Sequence, residues 1–296
     1  MSAEHIPVLA EQLESLIKLT SNAVIVDATV GYAGHSKIFG GKLGPEGCLL
    51  GLDVDEKCLD LAKTNLSDLK CKVLLKKSNF SDISNAMADL GLPKANFILA
   101  DLGWCSGQIV DSEKGLSFQN NMPLDMRLDA DLKTTAAKLV NSLEEDDLAD
   151  LIFKYGEERA SRRIARFIVE YRKNQTIITT GQLSFIICRA LGKVPQARGI
   201  HPATRTFQAL RIAVNDELGN LEKLLENSPE LLDKNGYLAI ISFHSLEDRI
   251  VKQFFNAKSK EGVFELITKK PMVADEKEIG LNPRSRSAKL RIARKI

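Results

Sequence analysis

Three short apolar runs, each closed by an aspartate, limit what this chain can become. They are Ala23-Val24-Ile25-Val26-Asp27, Leu49-Leu50-Gly51-Leu52-Asp53 and Phe97-Ile98-Leu99-Ala100-Asp101, with a shorter run, Val73-Leu74-Leu75, between the last two. Continuous apolarity over four or five residues, without polar alternation, marks strands covered on both faces, and hence a parallel sheet. Between these runs, residues 56–66 place Leu59, Ala62, Lys63 and Leu66 on one largely apolar face, at helical spacing. Strand alternating with helix predicts an α/β fold with a doubly wound, mostly parallel sheet.

The next run of this kind, Tyr237-Leu238-Ala239-Ile240-Ile241-Ser242, begins 136 residues after Asp101. A crossover between parallel strands needs far less chain. An insertion is therefore expected, with helices over 144–155, 157–171 and 180–191, and one long helix over 203–225 leading back to the sheet. A helix over 246–255 and strands over 264–268 and 289–293 should complete the domain. The expected division is 1–112 with 208–296 for the sheet domain, and 113–207 for the helical insert.

A chain of 296 residues with 44% apolar and 27% charged residues can bury a sizeable core, which excludes collagen-like, disordered and disulfide-scaffold classes. Its net charge of +2 argues at first against a nucleic-acid partner. The distribution reverses that inference. Between Tyr171 and Asn215 there is no acidic residue and there are seven basic ones; from Lys269 to Ile296 nine basic residues face three acidic. These segments carry +13 and the remainder −11, a pattern suited to one polyanion-binding face. The five cysteines (Cys48, Cys58, Cys71, Cys105 and Cys188) form no C-x-x-C pair. No signal peptide, transit segment or apolar run of about 18 residues is visible, so a cytoplasmic location without a membrane is expected.

Chemistry-bearing residues gather at the strand ends. Asp27-Ala28-Thr29-Val30-Gly31-Tyr32-Ala33-Gly34-His35 follows the first strand, and its glycines allow a close backbone approach to a ligand. Asp53, 19 residues past Gly34, is placed to accept hydrogen bonds from ribose hydroxyls. Phe80, in Asn79-Phe80-Ser81-Asp82, stands where an adenine ring packs, although core packing also explains it. Asp101-Leu102-Gly103-Trp104-Cys105-Ser106-Gly107-Gln108 closes the fourth strand. Any one of these is also read as a tight turn, but together they converge on one crevice. The turn is not G-x-G-x-x-G, which opposes a pyrophosphate cradle and an NAD-linked dehydrogenase.

With these residues in view, the sequence resembles the MraW (RsmH) family, bacterial S-adenosylmethionine-dependent methyltransferases that modify N4 of a cytosine in small-subunit ribosomal RNA. The resemblance runs from His5 to Ala293. It rests on His5-Ile6-Pro7-Val8-Leu9, Gly34-His35-Ser36, Pro123-Leu124-Asp125-Met126-Arg127, Tyr155-Gly156-Glu157-Glu158-Arg159, the stretch 201–212 (HPATRTFQALRI), the stretch 242–252 (SFHSLEDRIVK) and the stretch 282–291 (NPRSRSAKLR). It implies a class I (Rossmann-like) methyltransferase fold with an inserted helical domain that contacts RNA. It also implies S-adenosyl-L-methionine as cofactor, contacted at Ala33, Gly34, His35, Asp53, Phe80, Asp101 and Gln108. Of these, His35 and Gln108 come from the resemblance alone. The chain departs from the family pattern at Ala33, Trp104, Cys105, Ile109, Val110 and Met122. A methyl at position 33 is compatible with a close backbone approach only if φ there is negative.

The expected reaction is N4-methylation of a cytidine in 16S ribosomal RNA, in the decoding region, on the small ribosomal subunit. No metal is expected, since His201 and His244 lack zinc-ligand spacing. Asp101 is assigned as proton acceptor or relay, with a pure cofactor contact as the competing role. Asp125 and Arg127 are assigned to substrate positioning, against a structural salt bridge. His244 follows the fifth strand and either meets the RNA or caps the next helix. Arg127, Arg205, Arg211, Arg284, Arg286 and Arg291 are assigned to grip RNA. A homodimer is compatible with the sequence. A methyltransferase of the same fold acting on another RNA or DNA base remains open, as does a non-catalytic RNA-binding assembly factor.

Overall fold

The four early runs become neighbouring strands. The computed structural model describes residues 7–104, 114–117, 121–194 and 201–296. A short helix α1 (Ala10–Leu16) precedes β1 (Val24–Asp27). Helix α2 (Gly34–Gly40) then leads to β2 (Cys48–Asp53), and α3 (Glu56–Asn65) to β3 (Lys72–Lys77). Helix α4 (Ile83–Asp89) leads to β4 (Ala95–Asp101). Strands β5 (Leu232–Ser242), β6 (Phe264–Leu266) and β7 (Lys289–Lys295) complete a seven-stranded sheet in the order β3-β2-β1-β4-β5-β7-β6. The pairs from β3 through β5 are parallel, and β7 runs antiparallel to both β5 and β6. The doubly wound, mostly parallel sheet expected from the sequence is therefore present.

Successive side chains of a strand point to opposite faces, and here both faces are covered. Ile25, Leu49, Phe97, Leu99, Ala239 and Ile241 pack into one core. Val26, Leu50, Ile98, Ala100, Leu238 and Ile240 pack into the other. This is why the strands read as unbroken apolar runs. Strand order reverses at β1, with β2 and β3 on one side and β4 and β5 on the other. In open α/β sheets the ligand crevice forms at such a switch point, outside the carboxyl ends of the strands.

By contact density the chain divides into two compact units, Met1–Cys105 with Leu218–Ile296, and Ser106–Glu217. The first holds the sheet. The second is helical, with α5 (Ala136–Ser142), α6 (Glu145–Gly156), α7 (Ser161–Arg172), α8 (Thr180–Leu191) and α9 (Thr204–Asn215). The units divide a few residues before the expected 112/113 and about ten residues after the expected 207/208. The later shift arises because α9 packs on α6. A Cβ at Gly156 would lie 2.5 Å from the Arg205 carbonyl oxygen, so only glycine permits that approach.

The single long helix expected over 203–225 is in fact two. Asp216, in the left-handed region at φ 48°, ends α9, and α10 (Glu217–Leu231) starts immediately after it. The fifth strand also starts earlier than expected, at Leu232, through a polar stretch whose register slips between Ala95 and Phe97. Helix α11 (Ser245–Lys260) runs past the expected 255, and α12 (Glu276–Leu281) precedes β7. Among the described residues no helix is long and apolar enough to cross a membrane.

Candidate active site

Strands β2, β1 and β4 are parallel neighbours, so their terminal aspartates Asp53, Asp27 and Asp101 line one edge of the sheet. Asp27 is the most enclosed, at 3% exposure. Its Oδ2 accepts the Ser36 hydroxyl at 2.6 Å and its Oδ1 accepts the Thr29 N–H at 3.2 Å. Burial pushes its carboxyl above the ordinary range, and the charge of Asp101 adds to this. The Ser36 and Thr29 hydrogen bonds and the nearby His35 oppose it.

Asp53 accepts the Gly31 N–H at 3.0 Å on Oδ2 and the Asp55 N–H at 2.9 Å on Oδ1. Burial raises its pKa to about 6, against the pull of those two hydrogen bonds, with the charges of Asp55 and Asp27 adding to the rise. Asp101 is tied in by its backbone, whose N–H donates to Thr29 Oγ1 at 2.7 Å. Its Oδ1 accepts the Gly103 N–H at 2.9 Å. Oδ2 lies 3.5 Å from Nε2 of His35. That contact is not aligned as a hydrogen bond, and both ring nitrogens of His35 are buried without a hydrogen-bond partner. A buried imidazole with two unmet polar atoms is costly, and a ligand in the crevice would relieve it.

The turn after β1 carries the backbone for this arrangement. Gly31 has φ 49°, which glycine adopts without cost. Ala33 has φ 66° and caps α2, so the negative φ required for a tolerated methyl is not met. Its Cβ costs about 1–2 kcal/mol in that conformation. Ala33 is also fully buried and has no surface to offer a ligand; it shapes the turn, while the half-buried Gly34 remains accessible. Phe80 opens a single 3-10 turn after β3, where it packs partly buried against the core face holding Val26 and Ile98. Gln108, Cys105, Ile109 and Val110 lie outside the described residues.

His244 and the Asp125–Arg127 pair take the structural contacts that the sequence left open as alternatives. His244 is the N-cap of α11: its Nδ1 accepts the Glu247 N–H at 3.4 Å, while Glu247 Oε2 accepts the N–H groups of Phe243 and His244. This is a reciprocal capping box, so Nδ1 holds a helix end, while Nε2 lies buried 3.1 Å from Glu247 Oε1. Asp125, in the helical unit, receives Arg127 in a two-pronged pair, Nε to Oδ1 at 2.7 Å and Nη2 to Oδ2 at 2.8 Å. Arg127 Nη1 also donates to the carbonyls of Ala130 and Leu132. Burial would raise the Asp125 pKa, but the Arg127 hydrogen bonds and charge, with Lys114, hold it below the ordinary range. The pair ties a loop together and commits most of the Arg127 donors to it, with the side chain 29% exposed.

Two further arginines are similarly committed. Arg291 is 6% exposed and gives Nε to Asp248 Oδ1 at 2.7 Å. Arg211 meets Glu217 through Nε at 2.6 Å and Nη2 at 2.7 Å. Neither guanidinium is presented to a polyanion. Arg205, Arg284 and Arg286 are exposed as expected. Sequence reasoning missed Thr29 and Ser36 as parts of the crevice. A hydroxyl two residues past a strand-ending aspartate, and another at the third residue of the next helix, were the available signals.

The crevice is acceptor-rich and negative. It suits a ligand with hydroxyl donors and positive charge, and it repels a pyrophosphate. A doubly wound sheet with such a crevice at its switch point is the arrangement of a Rossmann-like methyltransferase. Residues 2–296 match the MraW methylase family, and the chain belongs to that family. Ribosomal RNA small subunit methyltransferase H of Clostridioides difficile strain 630 is 40% identical over 311 aligned positions, covering all of both chains. The protein of the same name from Acidobacterium capsulatum is 44% identical over 298 positions, covering 98% of each.

Proposed function

We propose that this protein transfers the methyl group of S-adenosyl-L-methionine to N4 of a cytidine in 16S ribosomal RNA, in the decoding region of the small subunit. The observation that carries this reading is the set of carboxylates on adjoining strand ends, with the buried His35 ring beside them lacking a hydrogen bond, in a chain of the MraW family. The residues fit the cofactor's chemistry. Asp53 keeps acceptor capacity for ribose hydroxyls. Phe80 and Gly34 flank the same crevice, and the ring nitrogens of His35 can meet a polar group of the ligand. When bound, S-adenosyl-L-methionine supplies a methyl group on a sulfonium, an electrophile that needs no metal.

Asp101 is the group placed to handle the proton. Methylation would form a bond from N4 to the methyl carbon as the carbon–sulfur bond of the sulfonium breaks to leave a neutral thioether, and one N4 proton must then leave. Asp101 Oδ1 is occupied by Gly103, so Oδ2 is left to accept a hydrogen bond from the amine and take that proton. At 19% side-chain exposure it is reachable yet shielded. Thr29 and Gly103 fix its position, which matters because an in-line transfer tolerates little misplacement. Exposed Arg205, Arg284 and Arg286 hold RNA phosphates, while the Asp125–Arg127 pair fixes the loop that carries it.

Nucleoside mass spectrometry of 16S RNA from cells lacking the gene tests this reading. The N4-methylated cytidine should vanish and return with the wild-type gene. Unchanged modification would overturn the proposal, and a change at another base would redirect it to a different target.

A further inference from the structure

Helices α7 and α8 of the helical unit enclose a groove of about 400 Å³. Helix α7 contributes Arg166, Phe167 and Tyr171, and α8 contributes Phe185 and Arg189. Phe167 and Tyr171, like Phe185 and Arg189, stand four residues apart, so each pair shares one helix face. Phe185 is 56% exposed, an exposure that core packing does not explain. The Arg189 guanidinium lies 5.7 Å from the Phe185 ring centroid, and that of Arg163 lies 5.9 Å from Phe167. Glu170 at the rim is neutralised by Lys173 at 2.7 Å. Arg166 and Arg189 have no carboxylate partner among the described residues. The groove thus combines aromatic faces with unspent positive charge, at a volume in the range of small-ligand sites.

Those are the components of a single-stranded nucleic-acid site. Aromatic side chains stack a base, guanidiniums stack or meet phosphate, and neither is sequence-specific. A protein partner would need to be both apolar and strongly acidic to match this rim. We propose that the groove holds one unpaired nucleotide of the RNA substrate, with its base against Phe185 and Phe167 and its phosphate at Arg166 and Arg189. The proposal rests on the reading that the protein acts on RNA, and it adds a base-stacking contact in the helical unit to the phosphate contacts at Arg205, Arg284 and Arg286.

Phe185→Ala, Phe185→Tyr and Arg189→Ala in the full-length protein test it. The first probe is a fluorescein-labelled single-stranded RNA decamer, read by anisotropy. Phe185→Ala should weaken binding about tenfold and Phe185→Tyr should restore it. Arg189→Ala should weaken binding and flatten its salt dependence. A twelve-base-pair RNA duplex, whose bases are stacked away, should bind Phe185→Ala and wild type alike. In methylation of isolated small subunits, Phe185→Ala should raise KM several-fold with kcat unchanged. Wild-type decamer binding by Phe185→Ala would overturn the proposal. So would an equal loss for duplex and single strand, or a dimer that dissociates in Phe185→Ala while decamer binding persists, which would make the groove an interface between copies. Were the 16S RNA reading to fail while Phe185→Ala still lost the decamer, the groove would stand and only the target would change.

Discussion

In the sheet unit the decisive charges are carboxylates held inside: Asp27 at 3% exposure, then Asp53 and Asp101 beside it. In the helical unit they are guanidiniums held outside, at Arg166, Arg189 and Arg205. The contrast follows from what each ligand brings. A small cationic cofactor is selected by acceptors in a low-dielectric crevice, where each is strengthened by burial. A long polyanion is held by many exposed cations, each worth little alone and all screened by salt. Each unit also contains an exception, Arg291 in the sheet unit and Arg211 in the helical unit, clasped by Asp248 and Glu217. These show that an arginine's place in a basic segment does not tell whether it faces a partner.

The contrast can be broken most strongly at Asp101. Asp101→Ala should lower the single-turnover rate of methyl transfer about 10²–10⁴-fold. S-adenosyl-L-methionine binding by calorimetry should change far less, and an unchanged rate would remove Asp101 from the chemistry. Next in size is Asp248→Ala, which leaves Arg291 charged and buried. It should cost about 3–5 kcal/mol in urea unfolding, whereas Arg286→Ala should leave the unfolding midpoint where it is. Equal stability of the two variants would mean that Arg291 is not the structural residue its burial indicates.

A smaller effect lies in pH. Asp53, with a pKa raised to about 6, must be ionised to accept ribose hydroxyls fully. Cofactor affinity should therefore hold above pH 7 and fall by up to about tenfold per unit below 6. The sign for stability is opposite. Between its ordinary 3.8 and about 6 the folded state binds the extra proton, so Asp53 favours folding at low pH and that contribution is lost as pH rises through 6. Affinity independent of pH from 5 to 8 would show that Asp53 does not touch the cofactor. Smallest is Arg286→Ala, which should weaken binding to small subunits a few-fold and reduce the slope of log affinity against log salt by about 1.

The strands and most helices were legible because apolar runs and helical spacing are local signals. What stayed hidden depended on distant partners or on single backbone angles. Nothing near Arg291 announces that β7 turns it inward onto Asp248, 43 residues away. Asp216 carries no mark that it will adopt φ 48° and divide one apparent helix into two. The start of β5 reads as loop, since Asp233, Lys234 and Asn235 are polar and exposed. The cap at His244 was legible as one of two roles, and Glu247 three residues on favours it, although histidine is an unusual cap. The convergence of the strand-end acids on one crevice was readable, because a doubly wound sheet places successive strand ends together, and the parallel order of β2, β1 and β4 bears it out.

The sheet is also interrupted in sequence in a way that orders events during synthesis. β4 must pair with β5, yet residues 106–217 are made between them. The helical unit is contiguous and rich in local contacts, so it can fold as soon as it emerges. The sheet unit must wait with β4 exposing an unpaired edge. Early folding of the insert limits how freely that edge can wander before its partner strand arrives, so variants that slow the insert should aggregate during expression even where the finished protein is stable.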